Sequence, residues 1–381
     1  MSAAPIRRYL DNAATSWPKP APVLAAWSRA ACDVGAAAGR AAYRSAVEAD
    51  AIRQRARAAA ARLLGGVDPA RVALPGGCTL ALNLAIHGLV RPGDHVIATA
   101  ADHNAVLRPL HALARRGIAD LTILPCDGLG RVDPAAVAAV WRPATRLVAC
   151  THACNVTGAV QAVAEIAAIT HARGGRLLVD AAQTLGQIPL DVAALGADLV
   201  AAPAHKWLHG TAGVGLLWAR PGIEPEPLVQ GGTGSRSESL DMPEAFTDRL
   251  EPGTPDVPAL AAFVAAAGWL EDRGIAATGA ACRALAAECA ARLRSLGGVQ
   301  VFAAAGAPIV SFTVAGYDPG ELAAILEQAA GVEVRSGFHC AAAVHEHLGT
   351  AAAGTVRASF GPGNDRSDVE AVVRVVETIR G

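Results

Sequence analysis

The sequence predicts an α/β fold with a mostly parallel central sheet, helices on both of its faces and a smaller C-terminal α+β domain. Through residues 23–201, apolar β-branched runs alternate with Ala-rich helical stretches, which is the pattern of successive βαβ units. From about residue 259 the order changes to a pair of long Ala-rich helices, two strands and one more helix. The length of 381 residues allows two or three domains at ~150 residues each.

The individual elements follow from two signals in the sequence. Short runs rich in Val, Ile and Leu between turn-forming residues indicate strands, and Ala-rich stretches with Leu and Val at helical spacing indicate helices. The predicted strands lie at 71–75, 94–99, 119–125, 145–150, 176–179, 197–201, 299–302 and 309–314. The predicted helices lie at 23–31, 47–64, 78–89, 106–116, 134–140, 163–173, 259–272, 279–296 and 319–329.

A loosely patterned stretch, Ile223 to Asp256, is rich in Gly, Pro and Ser. Such composition is typical of an active-site loop or a domain junction. We therefore expect a large domain at 16–255 and a small domain at 256–381, joined by an N-terminal segment at 1–15.

The overall composition argues against several classes of protein. With 33 basic and 34 acidic residues the net charge is -1, so we expect no nucleic-acid or anionic-membrane partner. No apolar stretch follows Arg7 and Arg8, and no run of ~18 apolar residues occurs, so we expect neither a secretory signal nor a membrane span. Eight scattered cysteines without a CxxC pair are typical of reduced thiols in a cytoplasmic protein.

Polar side chains follow three of the predicted strands in turn. Asn155 comes after the strand at 145–150, Asp180 and Gln183 follow 176–179, and His205 and Lys206 follow 197–201. In open α/β sheets, ligands bind beyond the carboxyl ends of the strands. We therefore expect these five side chains to converge on one pocket.

The predicted pocket has the chemistry that pyridoxal phosphate requires. That cofactor needs a lysine for its Schiff base and an acidic partner for its pyridinium nitrogen. Its phosphate needs free N–H groups, which Gly76-Gly77-Cys78-Thr79 supplies at the start of a helix. Taken singly, the Asp is typical of a turn, the Lys of a solvated surface and the Gly pair of a loop. Their shared order at strand-to-helix junctions favours the cofactor site.

Several motifs resemble those of one known family, in the family's own order. The chain is similar to the class V, fold-type I pyridoxal-phosphate enzymes, and most closely to the cysteine desulfurases. The segments that carry the resemblance are Tyr9–Thr15, Gly77-Cys78-Thr79, Asp102-His103, Asn155, Asp180, Gln183, His205-Lys206, Glu251–Pro255, Arg335–Ala341 and Arg357–Phe360. Pro203 and Ala204 depart from the family pattern, since a hydroxyl and a Gly commonly precede its His-Lys pair.

The resemblance implies a role for each matched residue. Lys206 forms the Schiff base, Asp180 pairs with the pyridinium nitrogen and His103 stacks on the ring. The other implied contacts to the cofactor come from Cys78, Thr79, Asn155, Gln183, His205 and Thr254. Thr254 is expected to reach the phosphate in a neighbouring subunit, which implies a homodimer.

The implied reaction converts L-cysteine to L-alanine and leaves the sulfur as a persulfide on Cys340. Arg357 and Arg335 are expected to bind the substrate carboxylate, with Asn155 nearby, and Lys206 to act as the base at Cα. A thiolate at Cys340 needs cationic neighbours, for which His339, Arg335 and His103 are candidates. A sulfur-acceptor protein or a small thiol would then take the sulfur.

Other interpretations remain open at this point. A selenocysteine lyase, another carbon–sulfur lyase or an aminotransferase shares most of these motifs, and an inactive sulfur-transfer scaffold could keep the fold. Cys340 alone could be a buried thiol. Cys340 with His339, His345 and His347 fits no common zinc spacing, so we expect no metal. A nicotinamide dehydrogenase is disfavoured because no GxGxxG follows a strand.

Overall fold

The computed structural model describes residues 7–39 and 41–380. Its strands are β1 (Arg8–Tyr9), β2 (Val72–Ala73), β3 (Asp94–Thr99), β4 (Ala119–Leu124), β5 (Thr145–Thr151), β6 (Arg176–Asp180), β7 (Leu199–Pro203), β8 (Gly215–Ala219), β9 (Val299–Phe302), β10 (Ile309–Val314), β11 (Val332–Glu333), β12 (Arg335–Gly337) and β13 (Thr355–Ser359). Its helices are α1 (Ala21–Arg29), α2 (Arg44–Leu63), α3 (Cys78–Leu89), α4 (Asn104–Arg115), α5 (Pro134–Ala139), α6 (Val163–His171), α7 (Val192–Leu195), α8 (Phe246–Leu250), α9 (Val257–Arg273), α10 (Ile275–Arg294), α11 (Pro319–Ala330), α12 (Ala342–Leu348) and α13 (Arg366–Thr378).

The larger sheet has seven strands in the order β2-β8-β7-β6-β5-β3-β4. Strands β3 to β7 pair in parallel, and β8 runs antiparallel to both β7 and β2. The predicted α/β class with a mostly parallel sheet is therefore confirmed. Because Asp180 at the end of β6 lies opposite Thr151 and Ala201, the carboxyl ends of β5, β6 and β7 meet at one edge.

Helices cover both faces of the larger sheet, and two separate apolar cores result. Along β7, Val200 and Ala202 belong to one core, and Leu199 and Ala201 belong to the other. Successive side chains of a strand point to opposite faces. A strand buried on both faces is therefore apolar at every position, which explains the unbroken apolar runs in the sequence.

A smaller, antiparallel sheet follows in the C-terminal part, with the order β12-β13-β10-β9. Its core contains Phe312 and Phe360, both fully buried. Helix α13 begins with a capping box in which Asp365 and Asp368 bond each other's backbone N–H groups. The predicted smaller C-terminal α+β part is confirmed by this sheet and its helices.

The N-terminal segment binds to the C-terminal part of the chain. Strand β1 pairs in parallel with β11 in a separate two-stranded sheet, and Ser359 of β13 donates its N–H to the carbonyl of Leu10 at 2.6 Å. Helix α9 packs its buried face into one of the two cores of the larger sheet. The boundaries at residues 15 and 255 stay predictions, and residues 1–6 of the predicted segment lie outside the described residues.

A few elements differ from the sequence-based expectation. The strand expected at 71–75 is only two residues long, and Pro75, which has no N–H for a sheet ladder, lies beyond it. The strand expected at 197–201 is shifted to β7, and β8, β13 and α13 were not predicted. In the described part of the chain, no helix has the length and apolar character needed to cross a membrane.

Candidate active site

A cavity of about 790 Å³ opens at the carboxyl ends of the parallel strands. The predicted site residues that line it are Cys78, Thr79, His103, Asn155, Asp180, Gln183, His205, Lys206 and Arg335. Three others do not line it. Cys340 contacts Arg335 and Arg357 contacts Asn155, each from outside the cavity wall. Thr254 lines a second cavity. The structure thus brings the five strand-end side chains together, while their chemical roles stay predictions.

The turn before α3 forms one wall of the cavity. Helix α3 starts at Cys78, directly after Gly77, and the first N–H groups of a helix have no partner within it. This turn packs tightly on β8, where a Cβ added to Gly215 would lie 2.3 Å from the carbonyl carbon of Gly77. The close approach therefore requires glycine at 215 and presents the helix N-terminus to an anion in the cavity.

Lys206 and Asp180 line the same cavity and influence each other's pKa. Burial lowers the pKa of Lys206, and the nearby Asp180 carboxylate partly offsets that effect. Burial raises the pKa of Asp180, while the N–H of Ala182, 2.9 Å from its Oδ1, and the charge of Lys206 act in the opposite direction. The cavity therefore offers an amine that loses its proton more readily than an exposed lysine.

Gln183 and Asn155 each use part of their amide groups within the protein. Gln183 accepts a hydrogen bond from the Trp207 indole at 2.7 Å and donates one to the carbonyl of Ala13 at 3.1 Å. Asn155 donates from Nδ2 to the carbonyl of His339 at 2.7 Å, and its buried Oδ1 has no partner. An unpaired buried polar atom in a cavity is costly unless a ligand binds it.

His103 caps helix α4 and faces the cavity. Its Nδ1 accepts the N–H of Ala105 at 2.9 Å, so the proton of the neutral ring lies on Nε2. Burial, with the nearby positive charges of Lys206 and Arg335, lowers the pKa of His103 to about 4. The ring is therefore uncharged at neutral pH and can stack on a flat aromatic group.

The turn that carries Cys340 has an unusual backbone. His339 and Cys340 have φ angles of 52° and 59°, a left-handed region that costs residues other than glycine about 1–2 kcal/mol each. Contacts from distant segments hold this turn. Asn155 binds the carbonyl of His339, and the N–H of Asn104 donates to the carbonyl of Cys340 at 2.8 Å.

Two arginines stand around Cys340. Nη2 of Arg335 donates to Sγ of Cys340 at 3.1 Å. The guanidinium of Arg357 is 1% exposed; it forms an ion pair with Asp11 at 2.8 Å and donates to the carbonyl of Asn155 at 3.0 Å. Nε of Arg357 has no partner. Arg335 therefore bridges the Cys340 turn and the cavity, and Arg357 keeps a free donor.

The segment before Thr254 is fixed next to the helix N-terminus. Glu251 forms a buried ion pair with Arg57 at 2.6 Å and accepts the N–H of Leu74 at 2.7 Å. Thr254 and Gly76 both line a second cavity of about 250 Å³. Thr254 thus lies close to the α3 turn, but it does not face the main cavity of its own chain.

Within residues 7–39 and 41–380, no group of three or more His, Cys, Asp or Glu side chains is arranged to hold a metal ion. Buried His345 binds the hydroxyl of Thr350 at 2.7 Å through Nδ1, and His347 is exposed. Both histidines lie on helix α12.

Two acidic residues at the site were not assigned a role from the sequence. Asp11, the ion-pair partner of Arg357, lies in the opening segment that resembles the family. Asp102 is fully buried and accepts bonds from the N–H and hydroxyl of Thr99. Burial raises the pKa of Asp102 to about 7. Only its position beside His103 in the sequence could have pointed to Asp102.

Comparison with known proteins gives one consistent result. The family model for aminotransferase class-V matches residues 8–372. A probable cysteine desulfurase of Methanothermobacter thermautotrophicus is 33% identical, covering 98% of this chain and 94% of its own. The cysteine desulfurase CsdA of Escherichia coli is 30% identical, covering 97% and 93%.

Solved structures agree with the sequence comparison. The apo structure of a cysteine desulfurase from Thermococcus onnurineus has a TM-score of 0.91 and 29% identity, with 98% of this chain and 94% of that chain covered. The Escherichia coli CsdA structure has a TM-score of 0.87 and 30% identity, with 97% and 94% covered. The chain therefore belongs to the class-V aminotransferase family, in its cysteine desulfurase branch.

Proposed function

We propose that the protein is a pyridoxal-phosphate-dependent cysteine desulfurase that converts L-cysteine to L-alanine and transfers the sulfur to Cys340. One observation carries the proposal. The Lys206 amine and the Asp180 carboxylate share a cavity, and Arg335 on the wall of that cavity contacts Cys340 at 3.1 Å. The thiol that the reaction needs is thus one side chain away from the cavity that holds the amine and the acid.

The residues of the cavity fit the cofactor. The helix N-terminus at Cys78 and Thr79 suits its phosphate, and Asp180 suits its ring nitrogen. The unpaired Oδ1 of Asn155 and the remaining amide proton of Gln183 are available for polar atoms of the ring. Uncharged His103 lies on the same cavity wall. The cavity thus combines the carboxylate, the amine and the helix N-terminus that the cofactor needs.

In the proposed mechanism, the bound cofactor supplies an electron-accepting ring that stabilises negative charge at Cα of the substrate. Lys206 takes the Cα proton, a task that suits an amine whose pKa is lowered by burial. Asp180 holds a proton on the ring nitrogen. His205 lies beside Lys206 on the cavity wall, and burial lowers the pKa of His205 to about 4, so its ring adds no charge there.

The two arginines orient the substrate. Nε of buried Arg357 is unpaired and can donate to the substrate carboxylate, which gives a charge-assisted hydrogen bond. Arg335 lies on the cavity wall and is bonded to Cys340. Asn155, which receives the Arg357 bond on its carbonyl, fixes the guanidinium relative to the cavity.

Cys340 accepts the sulfur. Its thiolate attacks the sulfur of the substrate, so that an S–S bond forms on Cys340 while the Cβ–S bond of the substrate breaks. The electron pair of the broken bond stays on the substrate carbon, which is protonated to give the methyl group of alanine. Arg335, 3.1 Å from Sγ, stabilises the thiolate before the attack.

The working form is proposed to be a homodimer in the cytoplasm. Thr254 lies near the α3 turn yet outside the main cavity of its own chain, as a residue that serves the partner's phosphate site would. Leu80, Leu228 and Val229 on the walls of the two cavities are 37–47% exposed. Apolar residues exposed together mark an interaction surface. A sulfur-acceptor protein or a small thiol then removes the sulfur.

Product analysis tests the proposed function. The purified protein is incubated with L-cysteine and a thiol, and alanine and sulfide are measured, with Lys206→Ala as the control. Equal amounts of alanine and sulfide, borohydride trapping of the cofactor on Lys206 and no product from the control are expected. Pyruvate or a transaminated product in place of alanine would show a different lyase or an aminotransferase.

A further inference from the structure

Lysine is almost absent from this chain. Of its 33 lysines and arginines, 31 are arginines and only Lys19 and Lys206 are lysines. Lys206 is the residue assigned to the cofactor. Lys19 lies 187 positions earlier in the sequence, and nothing in the proposed mechanism uses it.

The side chain of Lys19 ends on the peptide bond that leads into Lys206. Its Nζ lies 2.8 Å from the carbonyl oxygen of His205. The same oxygen receives the N–H of Ser16 at 3.0 Å, the hydroxyl of Thr15 at 3.0 Å and the hydroxyl of Ser16 at 3.2 Å. A carbonyl oxygen has two lone pairs. Four donors therefore exceed what is needed to satisfy this oxygen.

The N-terminal segment holds Lys19 in place. Pro18 and Pro20 flank the residue, and a residue before proline is restricted to extended conformations. Nζ of Lys19 also donates to Oγ of Ser16 at 2.8 Å. The hydroxyl of Tyr9 donates to the carbonyl of Thr15 at 2.9 Å. The ammonium group is therefore presented to the His205 carbonyl by a rigid segment.

The ammonium group of Lys19 is partly removed from water at this position, which costs free energy. Burial lowers the pKa of Lys19 to about 8, with no carboxylate raising it in the described part of the chain. A half-buried cation without an acidic partner lowers stability, so a purely structural anchor would be served better by a neutral donor. A compact ammonium also differs from the planar fork of arginine, which the chain uses at its other basic positions.

We propose that Lys19 is a positioning residue for Lys206: its ammonium group holds the His205–Lys206 peptide, so that the Lys206 amine points into the cavity. The proposal rests on the assignment of Lys206 in the proposed function. Lys19 touches neither the cofactor nor the substrate. It acts through the backbone of His205 on the side chain of Lys206, which is proposed to hold the cofactor.

The test compares Lys19→Met with Arg29→Met. Arg29 is an exposed cation on helix α1, which follows Lys19, and it pairs with Glu48, so its loss removes charge without touching the His205 carbonyl. Three quantities are measured: acetylation of Lys206 by acetic anhydride in the apoprotein at pH 7.5, the rate at which added pyridoxal phosphate forms its visible band, and kcat with KM. Mass spectrometry of the acetylated peptide is unambiguous because Lys19→Met leaves one lysine.

In Lys19→Met, we expect Lys206 acetylation to fall at least fivefold, and band formation and kcat to fall at least tenfold, with KM within threefold. The melting temperature of the apoprotein should not fall, because a half-buried charge without an acidic partner has been removed. Arg29→Met should match the wild type in all three rates. Thr15→Val removes a neutral donor from the same oxygen and should lower the rates two- to threefold.

Rates within twofold of the wild type in Lys19→Met would overturn the proposal, as would rate losses that only follow a fall in melting temperature. Wild-type protein that traps no cofactor on Lys206 would refute the proposed function instead. In that case the acetylation of Lys206 still decides whether Lys19 positions it.

Discussion

Replacing Thr355 with valine should slow sulfur transfer to Cys340 without disturbing the cofactor site. Oγ1 of Thr355 lies 2.9 Å from Nε2 of His339, the residue before Cys340, and both residues are buried. Valine keeps the shape of threonine but cannot form this hydrogen bond. Nδ1 of His339 is already without a partner, so the variant weakens one of the few contacts that hold the turn.

The size of the effect follows from the backbone of the turn. His339 and Cys340 both have positive φ, which costs roughly 3 kcal/mol for the two residues together. Removing the partner of a buried polar group costs about 1–3 kcal/mol. Because the two energies are similar, loss of the hydrogen bond lets relaxed conformations of the turn compete with the strained one. A loss of about 1.4 kcal/mol would lower the population of the strained turn relative to the relaxed conformations about tenfold. Persulfide formation should therefore be about tenfold slower.

The assay is a single turnover with L-cysteine, quenched at intervals, in which the mass of the peptide containing Cys340 reports the added sulfur. The visible band of the cofactor should match the wild type. Thr145→Val is the matched control, since Oγ1 of Thr145 lies 2.7 Å from Nδ1 of buried His95 on the larger sheet, away from the Cys340 turn. An unchanged rate in Thr355→Val, or equal losses in both variants, would refute the reasoning.

Three further predictions follow from the site and the core. Cys340→Ser should keep the cofactor band but lose sulfide release by several orders of magnitude, as measured by sulfide trapping. Asp11→Asn removes the ion-pair partner of buried Arg357 and should lower the free energy of unfolding in urea by roughly 3 kcal/mol. Burial lowers the pKa of His209 to about 3, so between about pH 6.5 and 3 this histidine is protonated in the unfolded chain but not in the folded chain. Stability should therefore fall as the pH drops from about 6.5 towards 3, and His209→Phe should reduce that slope by about 1.4 kcal/mol per pH unit.

Much of the fold could be predicted because its strands carry a local signal. Strands β3, β9 and β10 have the predicted bounds, since each is rich in β-branched residues and lies between turn-forming residues. Strand β8, Gly-Leu-Leu-Trp-Ala, contains no β-branched residue and was missed. It is a strand because it pairs with β7 and β2, which is a tertiary effect that its own sequence does not encode.

The convergence of the strand-end side chains could be predicted for a similar reason. Asn155, Asp180 and Lys206 follow neighbouring parallel strands, and the topology alone brings them to one edge. The geometry of the Cys340 turn could not be predicted, because His339 and Cys340 give no signal for positive φ. That conformation depends on Asn155, which is 184 positions away. The Asp11–Arg357 pair likewise joins residues 346 positions apart.

Asn155 links the cavity at the larger sheet to the turn that carries Cys340, the proposed nucleophile. Its Oδ1 is unpaired and buried at the cavity, its Nδ2 binds the carbonyl of His339, and its own carbonyl accepts a bond from Arg357. His339 precedes Cys340, and Arg357 lies on β13 of the smaller sheet. A displacement of the smaller sheet relative to the larger one would therefore break both bonds at Asn155. The turn after β5 thus sets two distances from the cavity together: the distance to Cys340, the proposed sulfur acceptor, and the distance to Arg357, the proposed substrate-binding residue.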